Sequence, residues 1–285
     1  MKCEVVLTRS GAPAMRDRAS GEVMHPGTGP GVEPLALYVV PSRLEARLRD
    51  ASASVGSGNL VLLDVGLGAA SNAIAAWRVS EALGDAPGAR RLEIVSFDDD
   101  LSALELALRP EHAESFGLTR EGGDAYAAAR ALLANGRHET PRTTWRLALG
   151  DFPKELAREP SASADVVFWD FYSAKTHPHL WTLATFRELR RVCRSGATLH
   201  TYSTATSFRA GLLLAGFAVG VGVCTGDRRE TTIAAVDVAD LEQPLDARWL
   251  ARLARSTAAF PSDVADDPES RTEALARVHA CPQFS

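Results

Sequence analysis

The stretch FAVGVGVCTGDRRETTIAAVDV, residues 217–238, decides what kind of sheet this chain builds. Its two apolar runs, 217–224 and 231–238, are separated by about six residues rich in turn formers. So short a link predicts an antiparallel hairpin, because a parallel return needs roughly a dozen residues or more. The chain before it reads differently. NLVLLDVG (59–66), RRLEIVSFD (90–98), TTWRLALGD (143–151), ADVVFWD (164–170) and ATLHTYS (197–203) are strand-like runs. Helical stretches lie between and after them: 69–83, 101–109, 123–134, 178–193 and 207–216. NLVLLDVG lacks polar alternation, as expected of a strand buried on both faces. Strands and helices alternating at this spacing imply βαβ units and a mostly parallel sheet.

Five parallel strands closed by one antiparallel hairpin predict an α/β chain with the class I methyltransferase (Rossmann-like) fold. Its sheet has seven strands and is mostly parallel; a plain dinucleotide-binding sheet would continue in parallel. Upstream, CEVVLT (3–8) and LALYVV (35–40) read as strands of a small N-terminal β extension. MHPGTGPGVEP (24–34), with three glycines and three prolines, reads as a loop, and 41–51 as a helix. Downstream, LDARWLARLARS (245–256) reads as a helix and ADDPESRTEA (265–274) as a mobile polar segment. The expected division is an N-terminal extension over 1–58, a core over 59–240 and a C-terminal helix and tail over 241–285.

Of the 285 residues, 46% are apolar and 24% charged, the profile of a globular protein. No apolar run approaches the ~20 residues of a membrane-spanning helix. MKCEVVLTRSG lacks the apolar stretch of a signal peptide, so a cytoplasmic location is expected. The four cysteines show no CxxC spacing, and His177 and His179 flank Pro178 without further ligands at zinc spacing; no metal is expected. A net charge of −5 means that nucleic acid would have to be met by a local basic patch. RELRRVCR (187–194) and GDRRE (226–230) are the candidates.

LDVGLGAASN (63–72) joins the first core strand to its helix. Gly66 and Gly68 let the backbone approach a ligand, and the helix N-terminus behind them offers N–H groups. Ser71 stands where a dinucleotide fingerprint would have its third glycine, so the pair alone fits a tight turn equally well. Asp64, Asp98, Asp151 and Asp170 lie in or at the ends of successive strands. Such a row marks the ligand-binding edge of an open α/β sheet. It suits the cationic sulfonium of S-adenosyl-L-methionine (SAM). Asp98 is the preferred ribose ligand, with Asp99 open as the alternative, and Asp151 the adenine ligand. Asn72 completes the expected cofactor set.

The segments VMHPGTGPGVEPLALYV, LDVGLGAASNAIAA, VSFDDD, LGDF and FWDFYSAKTHPHLW together resemble the MnmC/MnmD family. These are tRNA methyltransferases that form 5-methylaminomethyl-2-thiouridine. Asp170, Ser173, Lys175, Thr176, Pro178, Leu180 and Trp181 match the family's motif after the fourth core strand. The chain departs from the family at Phe171, Ala174, His177, His179 and Ala70. The resemblance implies SAM as cofactor and the aminomethyl group of a tRNA wobble uridine as acceptor. It also implies a stand-alone type, since the chain is too short for the FAD-dependent oxidase domain of bifunctional members.

Asp170 is the candidate catalytic group: a carboxylate there can hold the amine in line and accept its surplus proton. Tyr172 would stack on the base or pack internally, Lys175 would meet phosphate or solvent, and Trp181 reads as core. Ser173 and Glu33 complete the expected substrate contacts. Two further readings stay open: methylation of a small-molecule amine, and a methyltransferase-like fold that binds without catalysing.

Overall fold

The computed structural model describes residues 2–8, 11–24, 32–50, 58–119, 124–224, 230–264 and 267–285. Its main sheet is set by the apolar runs. The parallel strands are β3 (Leu60–Val65), β4 (Leu92–Asp98), β6 (Thr143–Leu149), β7 (Ala164–Trp169) and β8 (Cys193–Thr201). β9 (Ala218–Gly222) and β10 (Thr231–Ala235) form the antiparallel hairpin, with β10 inserted beside β8. An eighth strand, β5 (Arg137–Glu139), extends the expected seven by pairing antiparallel with β6. The order is β5-β6-β4-β3-β7-β8-β10-β9. The strand order reverses between β3 and β7, which are parallel neighbours, and a ligand crevice opens at such a switch point.

Strand side chains alternate between two core layers. Val166 and Phe168 of β7 face one layer, and Val167 and Trp169 the other. The first layer holds α1 (Leu44–Arg49), α2 (Ser71–Glu81), α3 (Ser102–Ala107), α4 (Pro110–Ala113) and α5 (Ala125–Asn135). The second holds α6 (Phe152–Leu156), α7 (Leu183–Val192), α8 (Thr206–Leu214), α9 (Ala247–Arg255) and α10 (Pro268–His279).

Three expectations are corrected here. LALYVV is not a strand: Leu35–Val39 forms a π-helical turn, closed by Val40 N–H donating to the Leu35 carbonyl at 2.9 Å. Pro34 at its start and burial of Leu37, Tyr38 and Val39 against the first layer override the strand propensity of the β-branched and aromatic residues. The second strand of the N-terminal sheet is instead β2 (Pro13–Asp17), paired antiparallel with β1 (Cys3–Leu7). Nor is the tail a polar loop. Asp267 accepts hydrogen bonds from the amides of Glu269 and Ser270 at 3.0 Å, Pro268 sits in the first turn, and α10 buries Ala274 and Val278. Trp181 is buried as expected, but it lies outside α7, beyond a short 3-10 turn at Pro178–Leu180.

Candidate active site

A cavity of about 410 Å³ opens at the carboxyl ends of β3, β4, β6 and β7. Gly66, Gly68, Asp98, Asp151, Asp170, Tyr172 and Glu33 line it. Its other acids are Asp17, Glu22, Asp99 and Asp100, against one lysine, Lys2. Such a lining attracts cationic groups and repels phosphate.

The glycine loop and the strand ends interlock. Gly66 has φ +94°, and a Cβ there would stand 2.8 Å from the carbonyl oxygen of Asp170. Only glycine lets the β7 loop come so close. The amide of Asp170 donates to the Val65 carbonyl at 2.8 Å, which seats the loop beside the turn. Gly68 N–H donates to Asp98 Oδ2 at 2.9 Å, and the amides of Asp99 and Asp100 donate to Asp98 Oδ1. Burial pushes the Asp98 carboxyl up to about 6, outweighing the lowering effect of those amides. Asp99 lies exposed at the rim. Asp100 accepts from the amide and hydroxyl of Ser102 at the start of α3, and pairs with Lys2 at 3.2 Å.

Asp170 is held from two directions. Tyr38 donates its hydroxyl to Oδ1 at 2.6 Å, and Asn72 donates Nδ2 to Oδ2 at 2.7 Å. Asn72, expected among the cofactor contacts, has its amide hydrogen directed at the Asp170 carboxylate. Asp64 also lies elsewhere. It is fully buried within β3, accepts from Ser96 Oγ at 2.6 Å and does not line the cavity.

The loop after β7 is tied down by residues that sequence patterning did not reveal. Glu22 accepts from the Ser173 amide at 2.8 Å, the Ser173 hydroxyl at 3.1 Å and the Thr176 hydroxyl at 2.6 Å. Ser173 is thereby a loop anchor away from the cavity lining. Tyr202 donates to the Phe171 carbonyl at 2.8 Å, and the Trp181 indole donates to the Tyr172 carbonyl at 2.9 Å. Phe171 packs edge-on against Phe152 and Trp169, so the family departure there is absorbed by an aromatic cluster. Tyr172 lines the cavity with one ring face stacked on His177, centroids 5.3 Å apart. Both His177 and His179 reach the lining, although their sequence context marks them only as loop positions. Lys175 is exposed and outside it.

The expected basic patch over 187–194, which the structure divides between α7 and the start of β8, is largely consumed within the fold. Arg190 donates to the Gly216 carbonyl, Arg191 to Glu188 and the Leu156 and Glu159 carbonyls, and Arg194 to Asp165 and the Ser163 carbonyl. Residues 226–229 of the second cluster, and His25 with most of the 24–34 loop, lie outside the described residues. Among the described residues, no group of three or more metal-ligating side chains occurs, and no helix is long and apolar enough to cross a membrane.

Comparison with known proteins agrees with the fold. Residues 124–237 match the family described as S-adenosyl-L-methionine-dependent methyltransferase. The bifunctional tRNA 5-methylaminomethyl-2-thiouridine biosynthesis protein MnmC of Ralstonia nicotianae is 32% identical over 187 residues, 63% of this chain and 27% of that protein. MnmC of Methylibium petroleiphilum is 28% identical over 241 residues, 84% of this chain and 36% of that protein. The chain therefore matches only about a third of the length of these curated relatives. The crystal structure of MNMC2 from Aquifex aeolicus superposes with a TM-score of 0.72 at 25% identity, covering 97% of this chain and 85% of that one.

Proposed function

We propose that this chain, a SAM-dependent methyltransferase similar to the methyltransferase part of MnmC, methylates the amine of an aminomethyl group on the wobble uridine of tRNA. The observation that carries the proposal is the Asp170 carboxylate. It is fixed by Tyr38 and Asn72 on an acidic cavity at the glycine turn.

The residues fit the cofactor. A lining of about 410 Å³ falls in the ~300–1,000 Å³ range of small-molecule sites, and its acids suit a sulfonium and an ammonium. Gly66 and Gly68 would carry the backbone past it, Asp98 would accept from its ribose hydroxyls, and Asp151 would meet its adenine amine. SAM supplies a methyl group activated for displacement on a cationic sulfur. Asp170 would accept a hydrogen bond from the acceptor amine in its neutral form, turn the nitrogen lone pair toward that methyl, and take the proton released as the N–C bond forms and the methyl–sulfur bond breaks, its electron pair leaving with the neutral thioether. Phe171, Tyr172 and Leu180 wall the site against water. Arg248, Arg252 and Arg255, exposed along one side of α9, offer phosphate contacts in place of the consumed α7 patch.

Cofactor binding carries a pH signature. The cavity reads Asp98 as an acceptor, which requires the ionised form. Because its pKa is raised to about 6, affinity for SAM is expected to be flat above pH 7 and to fall toward tenfold per unit below about pH 6. The same shift means that ionising Asp98 costs the unliganded fold stability as pH rises from the ordinary carboxylate range through about 6. Calorimetric titration from pH 5 to 8 checks the affinity, and an Asp98→Asn variant should bind weakly with no such slope.

Nucleoside analysis of tRNA from a deletion strain tests the substrate. Accumulation of the unmethylated aminomethyl nucleoside is expected, provided no second enzyme makes the same product. An unchanged nucleoside profile under that condition would remove tRNA as the substrate.

A further inference from the structure

The geometry points to Tyr38 as a positioning residue for methyl transfer, acting through its hydrogen bond to Asp170; the inference rests on the methyltransferase reading above. Tyr38 is fully buried, yet its hydroxyl reaches across 132 residues of sequence to Asp170 Oδ1 at 2.6 Å. Its ring packs against Phe168 of β7, centroids 5.3 Å apart, so the side chain is held by the strand that carries the aspartate. The π-helical turn at Leu35–Val39 provides the placement, since its wider i to i+5 winding inserts one extra residue between Pro34 and the helix that follows. Such turns gather at functional positions.

Two donors act on one carboxylate, and they differ. Asn72 is on α2 behind the glycine turn, whereas Tyr38 comes from the N-terminal extension. Burial and the neighbouring Asp170 charge raise the Tyr38 hydroxyl far above its ordinary range, so it keeps its proton throughout. With its hydroxyl hydrogen directed at Asp170 Oδ1, Tyr38 acts here as a donor. A donor of this kind favours the ionised carboxylate and locks its plane. Both effects serve the positioning half of the task, presenting an ionised, oriented lone pair to the amine, and they make the carboxylate a weaker base in exchange. Among the described residues, the titratable groups near the pair include Glu33, just before the turn, Tyr202 after β8 and Tyr172 on the β7 loop. Tyr202 donates its hydroxyl to the Phe171 carbonyl, and Tyr38 donates to Asp170.

The test is Tyr38→Phe, which removes one oxygen and keeps the ring against Phe168. Affinity for SAM, read by calorimetry, should stay within about twofold. The turnover number on an aminomethyluridine RNA should fall roughly tenfold, the loss of one charge-assisted hydrogen bond, while the KM for RNA changes little. The Asp170 carboxyl, followed by 13C NMR and assigned by its disappearance in Asp170→Asn, should titrate about one unit higher in Tyr38→Phe than in the parent protein. That titration needs no substrate, so it reports on Tyr38 even if the acceptor is not tRNA. An unchanged Asp170 titration with unchanged turnover would overturn the proposal. If Tyr38→Phe unfolds, the parent protein and Asp170→Asn supply the second measurement: the Tyr38 Cζ resonance, followed by 13C NMR, should shift as Asp170 titrates in the parent protein and should show no such step in Asp170→Asn. A Tyr38 resonance that ignores the Asp170 titration would also overturn the proposal.

Discussion

Asp170→Asn is expected to reduce methyl transfer by about 10²–10⁴-fold while leaving SAM affinity nearly unchanged. The substitution keeps shape and removes both charge and proton acceptance. It should also fold, because the partners can rearrange. Tyr38 can still donate to the new amide oxygen. Asn72 can turn its amide so that its own oxygen, which is buried without a hydrogen-bond partner in the structure, accepts from the new NH2 group. The variant therefore separates chemistry from architecture. Steady-state turnover with calorimetry checks both halves, and a variant that turns over like the parent protein would take Asp170 out of the mechanism.

Gly66→Ala should produce the largest structural loss. The residue sits at φ +94°, a conformation costing a non-glycine residue about 1–2 kcal/mol, and its Cβ would press within 2.8 Å of the Asp170 carbonyl oxygen. Backbone cannot yield there as a flexible side chain would, because the Asp170 amide is bonded to Val65. We expect a stability loss of about 2–4 kcal/mol in denaturant unfolding, with activity reduced even in the folded fraction since the clash displaces Asp170 itself. Gly68→Ala should be milder. Its Cβ meets the Met24 sulfur at 3.1 Å, and a thioether can move.

The two variants show where the sequence was legible. The parallel strands and the final hairpin follow from apolar runs and link lengths, which are local features. So does the gathering of Asp98, Asp151 and Asp170 at one edge, once those strands lie side by side. Asp64 looked equivalent, but it lies inside the strand, where alternation turns it to a buried face of the sheet and Ser96 donates to its Oδ2. The partners of Asp170 were hidden for a different reason. Tyr38 lies in LALYVV, whose β-branched and aromatic residues signal a strand, and tertiary burial decides otherwise. Glu22 is one acid in an ordinary turn-rich segment until the β7 loop folds onto it. The Asp-Pro-Glu-Ser start of α10 was a readable cap and first turn, masked by the polar composition around it.

The central claim is that this site moves a methyl group to an aminomethyl nitrogen on RNA under the guidance of Asp170. An anticodon stem-loop carrying 5-aminomethyluridine at the wobble position, incubated with the protein and methyl-labelled SAM and then digested to nucleosides, tests it most directly. The account predicts label in 5-methylaminomethyluridine with the parent protein and almost none with Asp170→Asn. Label absent from the nucleoside while SAM binds the protein, or present equally with both proteins, would contradict it.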